Sequence, residues 1–273
     1  MVREDTNHGG SRPFRRFSNL IIRLTRSAKH NNLNKIKISA VAYTNTKAFI
    51  YGLEHSDIIN KIDLSLDIPS DCAAKVINGQ ADIGLMPVAA IPLVPNANIV
   101  ADYCIGSDGG VNSVFIFSEV PAQEIKTVRL DAHSRTSNNL AKVLLKFHWK
   151  TEVEFTTDPD AKTDAFVLIG DRTFGKKDDF DYAYDMGAEW KKFTGLPFMY
   201  AAWVANKEIS QEFKDEFNAA LKFGLNHRKE VLQELPASPN FDLEDYLYHK
   251  LQFDVTEDRK KALDLFLGYI EQL

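Results

Sequence analysis

Ser134, Arg135, Thr136 and Ser137 place three hydroxyls and one guanidinium in four consecutive positions. They lie between a β-branched run at 126–130 and a helical segment at 138–149, so they open a helix. The first turn of a helix carries free N–H groups and about half a positive charge. With small hydroxyls and an arginine fork added, such a turn suits a carboxylate or a phosphate. A plain N-cap needs one Ser or Thr. Three hydroxyls plus an arginine point to a ligand site.

Three further polar loops stand at strand ends: 43–46 (Tyr-Thr-Asn-Thr), 107–113 (Ser-Asp-Gly-Gly-Val-Asn-Ser) and 170–172 (Gly-Asp-Arg). Each alone suits an ordinary turn. Four at the mouth of one cleft favour a ligand site. Familiar catalytic signatures are missing: the chain has no GxSxG elbow, HExxH, Walker loop or GxGxxG. Its seven histidines are scattered without ligand spacing, which disfavours a metal. His133 adjoins a site loop and reads as an exposed turn residue or a base. Asp131 and Asp171 read as loop-holding carboxylates or as acid–base groups. The site is thus rich in amide, hydroxyl and guanidinium groups and short of a general base.

The elements that position these loops alternate. Residues 36–41 have period two and read as a strand, followed by a helical stretch through Tyr51. A second strand at 62–66, a helix from Pro69 to Asn78 stopped by Gly79, and a third strand at 81–86 predict βαβ units and a parallel sheet. A buried-looking strand follows at 114–118. A second block then runs as strand 126–130, helix 137–149, strands 152–156 and 165–169, and helix 183–193. After a strand at 198–204 the pattern is helical to the end, apart from a break at 236–239. Phe213, Phe217, Ala220, Leu221 and Leu225 form a core-facing stripe. The fold class expected is α/β with two lobes: 35–118 plus 201–273 as lobe 1 and 119–200 as lobe 2. The chain crosses between them twice, and the C-terminal helices return to lobe 1. Ligand sites favour such clefts and the carboxyl ends of parallel strands.

At 273 residues, 44% hydrophobic and 26% charged, the chain has the composition of an ordinary soluble protein with room for two cored lobes. A net charge of −5 argues against nucleic acid as the main partner. Residues 1–34 hold seven basic and two acidic side chains, a net of +5 that leaves −10 on the remainder. Their one apolar run, Leu20-Ile21-Ile22, is too short for a signal peptide, so 1–34 read as a flexible basic leader or as residues upstream of the true start, and the location expected is cytoplasmic. No stretch approaches the ~20 apolar residues of a membrane span. Cys72 and Cys104 lack CxxC spacing and read as reduced, partly buried thiols.

Several of these residues fall into ordered motifs. Residues 41–47 (Val-Ala-Tyr-Thr-Asn-Thr-Lys) resemble the VSYLNT(K/A)P opening of the chorismate dehydratase family of menaquinone biosynthesis. The block from Pro69-Ser70 through Asn78-Gly79-Gln80-Ala81-Asp82-Ile83-Gly84-Leu85-Met86-Pro87 is similar to its second signature. Residues 109–118 resemble G-x-V-x-S-V-x-L-F-S, and 130–137 resemble L-D-x-x-S-R-T-S. Residues 168–171 and 185–198 resemble the last two. The six motifs keep their order over about 36–270. Ala42, Thr44, Ala48 and Asn112 depart from the usual Ser, Leu, Pro and Lys.

The resemblance implies a fold like a type 2 periplasmic binding protein. It also implies loss of water from chorismate to give 3-[(1-carboxyvinyl)oxy]benzoate, the first step of the futalosine route. No cofactor or metal is implied, because aromatisation drives the elimination and the substrate's enolpyruvyl carboxylate serves as base. On this resemblance Asn45 and Ser113 are catalytic. Thr46, Met86, Pro87, Asn112, Ser134, Arg135, Thr136, Ser137, Gly170 and Asp171 bind substrate, with Arg135 clamping a carboxylate. The partner implied is a small anion, with the chain a monomer or homodimer. Two other readings share the scaffold. One is a solute-binding or sensing protein for a small carboxylate. The other is an enzyme acting on a later menaquinone intermediate, whose family opens with a cysteine- and proline-bearing loop that this chain lacks.

Overall fold

The computed structural model describes residues 35–273, so the expected leader at 1–34 lies outside the described residues. The chain runs β1 (Ile36–Val41), α1 (Lys47–Glu54), β2 (Ile62–Asp67), α2 (Pro69–Ile77), β3 (Ile83–Pro87) and β4 (Asn98–Ser107). Then come β5 (Val114–Ser118), β6 (Thr127–Arg129), α3 (Arg135–Val143), β7 (Glu154–Thr156), β8 (Ala165–Ile169), β9 (Tyr182–Asp185) and α4 (Met186–Thr194). The chain closes with β10 (Phe198–Ala205), α5 (Gln211–Asn226), α6 (Arg228–Glu234), β11 (Gln252–Asp254) and α7 (Glu257–Ile270). Two mixed sheets result, six strands in the order β11-β4-β10-β3-β1-β2 and five in the order β7-β6-β8-β5-β9.

The expected βαβ start is present. β1 pairs in parallel with β2, Ile36 opposite Ile62, and with β3, Ile38 opposite Ile83. Pro69 opens α2 at a position where its missing N–H costs nothing, and Gly79 follows the helix end at φ +69°. The core is aromatic: Phe49, Trp203 and Phe217 are buried under α1 and α5, and Trp190, Phe198 and Phe266 under α4 and α7. The predicted stripe of α5 is buried along its length. Gly52 and Gly224 let α5 lie directly on α1: a Cβ at Gly224 would stand 1.8 Å from the Ala48 carbonyl oxygen. Among the described residues no helix is long and apolar enough to cross a membrane.

The structure departs from expectation in four places. β5, expected in lobe 1, pairs only with β8 and β9 in the five-stranded sheet. The crossings are therefore the loop at 108–113 and the segment through α4, not the strands themselves. All five β5 residues are buried, and four of them are apolar, so the strand's sequence carries no sign of which sheet it joins. β4 carries no plain strand pattern in sequence, because Asp102 and Gly106 interrupt it. Its backbone departs from a plain ladder too: the Asp102 N–H donates to Asn218 Oδ1 at 2.9 Å. Residues 183–185, expected to open a helix, instead belong to β9 of the second sheet, and Asp185 then caps α4. β11 breaks the expected all-helical C-terminus and pairs antiparallel with β4.

Candidate functional site

All four polar loops meet at one cavity between the two sheets, with an empty volume of about 590 Å³. Tyr43, Asn45 and Thr46 enter from the turn after β1, and Val111 and Ser113 from the crossing before β5. Ser134, Thr136 and Ser137 enter from the start of α3, and Gly170 from the end of β8. Leu85, Ile105, Ile169 and Leu251 supply apolar walls.

Each loop has a local reason for its shape. After β1, the Thr46 hydroxyl donates to the Val41 and Tyr43 carbonyls, the latter at 2.8 Å, and folds the turn so that Asn45 faces the cavity. Asp171 braces that turn from the other sheet: its carboxylate accepts from the Thr44 N–H at 3.2 Å and the Thr44 hydroxyl at 3.0 Å. Gly170 sits at φ +65°, where a Cβ would stand 3.1 Å from the Tyr43 ring. At 108–113 the organiser is Asp185. One oxygen accepts from the N–H groups of Val111 and Asn112 at 2.8 and 2.7 Å, and the other caps α4 through Gly187 and Ala188. Asn112 is held at φ +60° by this clasp.

The α3 turn uses its hydroxyls unequally. Ser134 Oγ accepts from the Ser137 N–H and donates to Ser137 Oγ at 2.8 Å, while Thr136 Oγ1 accepts from the Ala89 N–H at 3.2 Å. Residues three apart share a helix face, which puts Ser134 and Ser137 together on the cavity side. Asp131 holds the preceding loop: it accepts from the His133 N–H and pairs with Arg172 at 2.6 Å. His133 is half-buried rather than exposed, its Nδ1 3.2 Å from the Tyr43 hydroxyl.

Among the described residues no charged side chain lines the cavity. Burial pushes the carboxyls of Asp171 and Asp185 above their ordinary range, and the hydrogen bonds they accept partly offset it. Although Asp171 keeps part of its surface in solvent, its oxygens are tucked under Thr44. Both acids are occupied in holding backbone. The polar lining is instead hydroxyl and amide. Asn45 Oδ1 is buried without a hydrogen-bond partner. Ser113 Oγ lies 2.8 Å from the Tyr246 hydroxyl, and the hydroxyl of the buried Tyr200 lies 3.2 Å from Ser107 Oγ. Burial raises both phenols. Cys72 and Cys104 are free and buried, their thiols pushed up to about 12. Among the described residues no group of three His, Cys, Asp or Glu side chains is placed to hold a metal ion.

Of the expected site residues, Asn45, Thr46, Pro87, Ser113, Ser134, Thr136, Ser137 and Gly170 line the cavity. Four do not. Met86 is buried in β3 between Leu85 and Pro87, its side chain on the opposite strand face from theirs. Asn112 opens on a different groove beside Phe241. Asp171 acts on Thr44. Arg135 is exposed and lines a surface groove with Leu130 and Asn139, because the first helical residue points about a hundred degrees away from its neighbours. Sequence reasoning missed Tyr200 and Tyr246, which carry no motif. It also missed Asp185 as organiser of the Ser113 loop, although an Asp just before a helical run is a standard cap signal.

Solved structures share this architecture. A protein of Archaeoglobus fulgidus superposes with a TM-score of 0.64 at 16% identity, covering 87% of this chain and 97% of that one. A Candida albicans gene product described as having the generic periplasmic binding protein fold gives 0.63 at 11%, covering 88% and 91%. The alkanesulfonate-binding protein of Xanthomonas axonopodis pv. citri gives 0.55 at 12%, covering 86% and 93%. At such identities these likenesses speak for fold alone: a two-lobed, type 2 periplasmic binding protein-like fold. The family described as menaquinone biosynthesis matches residues 36–272. The chain belongs to the menaquinone biosynthesis family, and membership implies an enzyme of that pathway.

Proposed function

We propose that the chain is a chorismate dehydratase, a hydro-lyase that acts in the cytoplasm and opens the futalosine route to menaquinone. The observation that carries the reading is a cavity with Asn45 and Ser113 in its wall and, among the described residues, no charged side chain. An elimination that needs a protein base would be stranded there. One whose substrate brings its own base would not.

The chemistry balances without a redox partner. The ring C–H beside the enolpyruvyl ether is acidified vinylogously by the ring carboxylate, and its proton passes to the enolpyruvyl carboxylate. The electron pair left behind completes the aromatic ring as the neighbouring C–O bond breaks. Hydroxide departs and takes up that proton as water. The protein's part is orientation and stabilisation of developing charge. The Asn45 amide orients the side-chain carboxylate and the reacting ring, and its unpartnered Oδ1 accepts from the ring hydroxyl. Ser113 donates to the departing oxygen. The first turn of α3 holds the ring carboxylate through its remaining free N–H groups and the Ser137 hydroxyl, which Ser134 orients.

The test compares wild type with Asn45→Ala. Wild type is expected to convert chorismate to the aromatic enol ether. Asn45→Ala should fold and bind chorismate but lose turnover about a hundredfold or more, as removal of a preorganised polar group does. Equal rates would remove Asn45 from the mechanism.

A further inference from the structure

We propose that Tyr246 is a positioning residue of this site: its phenol donates to Ser113 Oγ and so turns the serine's own proton into the cavity. The proposal rests on the dehydratase reading and adds to it a group from the C-terminal segment.

Tyr246 opens a π-helical turn at Tyr246–Lys250, directly after the short helix Leu243–Asp245. Its ring is 1% exposed and is fixed edge-on by Phe174 at 5.5 Å and Phe241 at 5.3 Å, which stack on each other at 3.7 Å. A ring so held has one pose, and its hydroxyl reaches Ser113 Oγ at 2.8 Å. Wide turns of this kind recur at functional sites because they re-aim one side chain.

The direction of the bond follows from its neighbours. Asn45 Oδ1 takes no hydrogen bond, so the phenol's proton has Ser113 as its partner. The Asn45 amide stands close enough to Tyr246 to ease ionisation, but burial outweighs it and keeps the phenol protonated. A serine hydroxyl carries one proton and can accept as well as donate. Once Ser113 accepts from Tyr246, its proton is free for a ligand. The backbone around it is already engaged: the Gly170 N–H donates to the Ser113 carbonyl at 2.8 Å. Ser113 is itself buried and lines the cavity, so the remaining direction for its proton is toward the bound molecule.

The experiment is a double-mutant cycle in the full chain: wild type, Tyr246→Phe, Ser113→Ala and the pair, assayed on chorismate. Tyr246→Phe keeps the ring against Phe174 and Phe241 and removes only the hydroxyl. It is expected to lower kcat roughly tenfold with KM within about twofold, a smaller loss than the roughly hundredfold of a direct donor. In the Ser113→Ala background the same change is expected to cost nothing further, because its target is gone. A fold defect would reduce activity in both backgrounds and would overturn the proposal, as would a Tyr246→Phe kcat equal to wild type. Wild type that gives no product fails the dehydratase reading itself. Active wild type with an unaffected or additive Tyr246→Phe fails only this inference.

Discussion

Thr44 and Asp171 bolt the two sheets together across the cleft: one carboxylate accepts both the N–H and the hydroxyl of a single threonine 127 residues away. This pairing explains why Asp171, expected to meet substrate, is absent from the cavity wall. Its charge is spent on the turn that presents Asn45. Asp185 does the same for Ser113. Both acids are scaffold, and the groups they position are neutral.

The Thr44–Asp171 pair gives a pH signature. Burial raises the Asp171 carboxyl when folded, so the folded chain holds that proton more tightly than the unfolded one. Stability from this group is then highest below the unfolded value of about 3.9 and falls as pH rises through the raised folded value. Melting temperatures of wild type and Asp171→Asn, measured from pH 3.5 upward, should show wild type losing ground across that window. A difference that stays constant or grows with pH would contradict the assignment.

Asp185 accepts from four backbone N–H groups, two at the Ser113 loop and two at the start of α4. Removing it leaves those donors unpaired and α4 uncapped. Asp185→Ala should lower unfolding free energy by about 2–4 kcal/mol, read by urea denaturation. A loss below about 1 kcal/mol would mean that water replaces the carboxylate freely.

Arg135 and Ser137 separate the expected anion clamp from the observed one. Arg135 is exposed and outside the cavity, whereas Ser137 is buried and lines it. Arg135→Ala should leave KM for chorismate within about twofold, because an exposed charge acts weakly through solvent. Ser137→Ala should raise KM about tenfold, the weight of a lost hydrogen bond to a charged group. The reverse ranking would restore the guanidinium to the site.

The two-lobed α/β class was legible in the sequence, whereas the sheet that each strand joins was less so. Motif order brought Asn45, Ser113, Ser134, Ser137 and Gly170 to one place, since strand-end loops carry strong local turn signals. Arg135 lies outside the cavity lining because adjacency in sequence is not adjacency on a helix face. β4 was hidden because a strand paired on both sides need not alternate, and Asp102 disguises it. Tyr246 was invisible for a different reason. Its contact with Ser113 spans 133 residues, and nothing in its neighbourhood marks it as more than a core aromatic.

The most direct measurement is product stoichiometry. Purified chain, treated with chelator and given chorismate without nucleotide or added metal, should release one 3-[(1-carboxyvinyl)oxy]benzoate per chorismate consumed, followed by chromatography and aromatic absorbance. Chorismate bound by the chain and recovered unchanged would contradict the dehydratase account and leave a ligand-binding protein on the same fold.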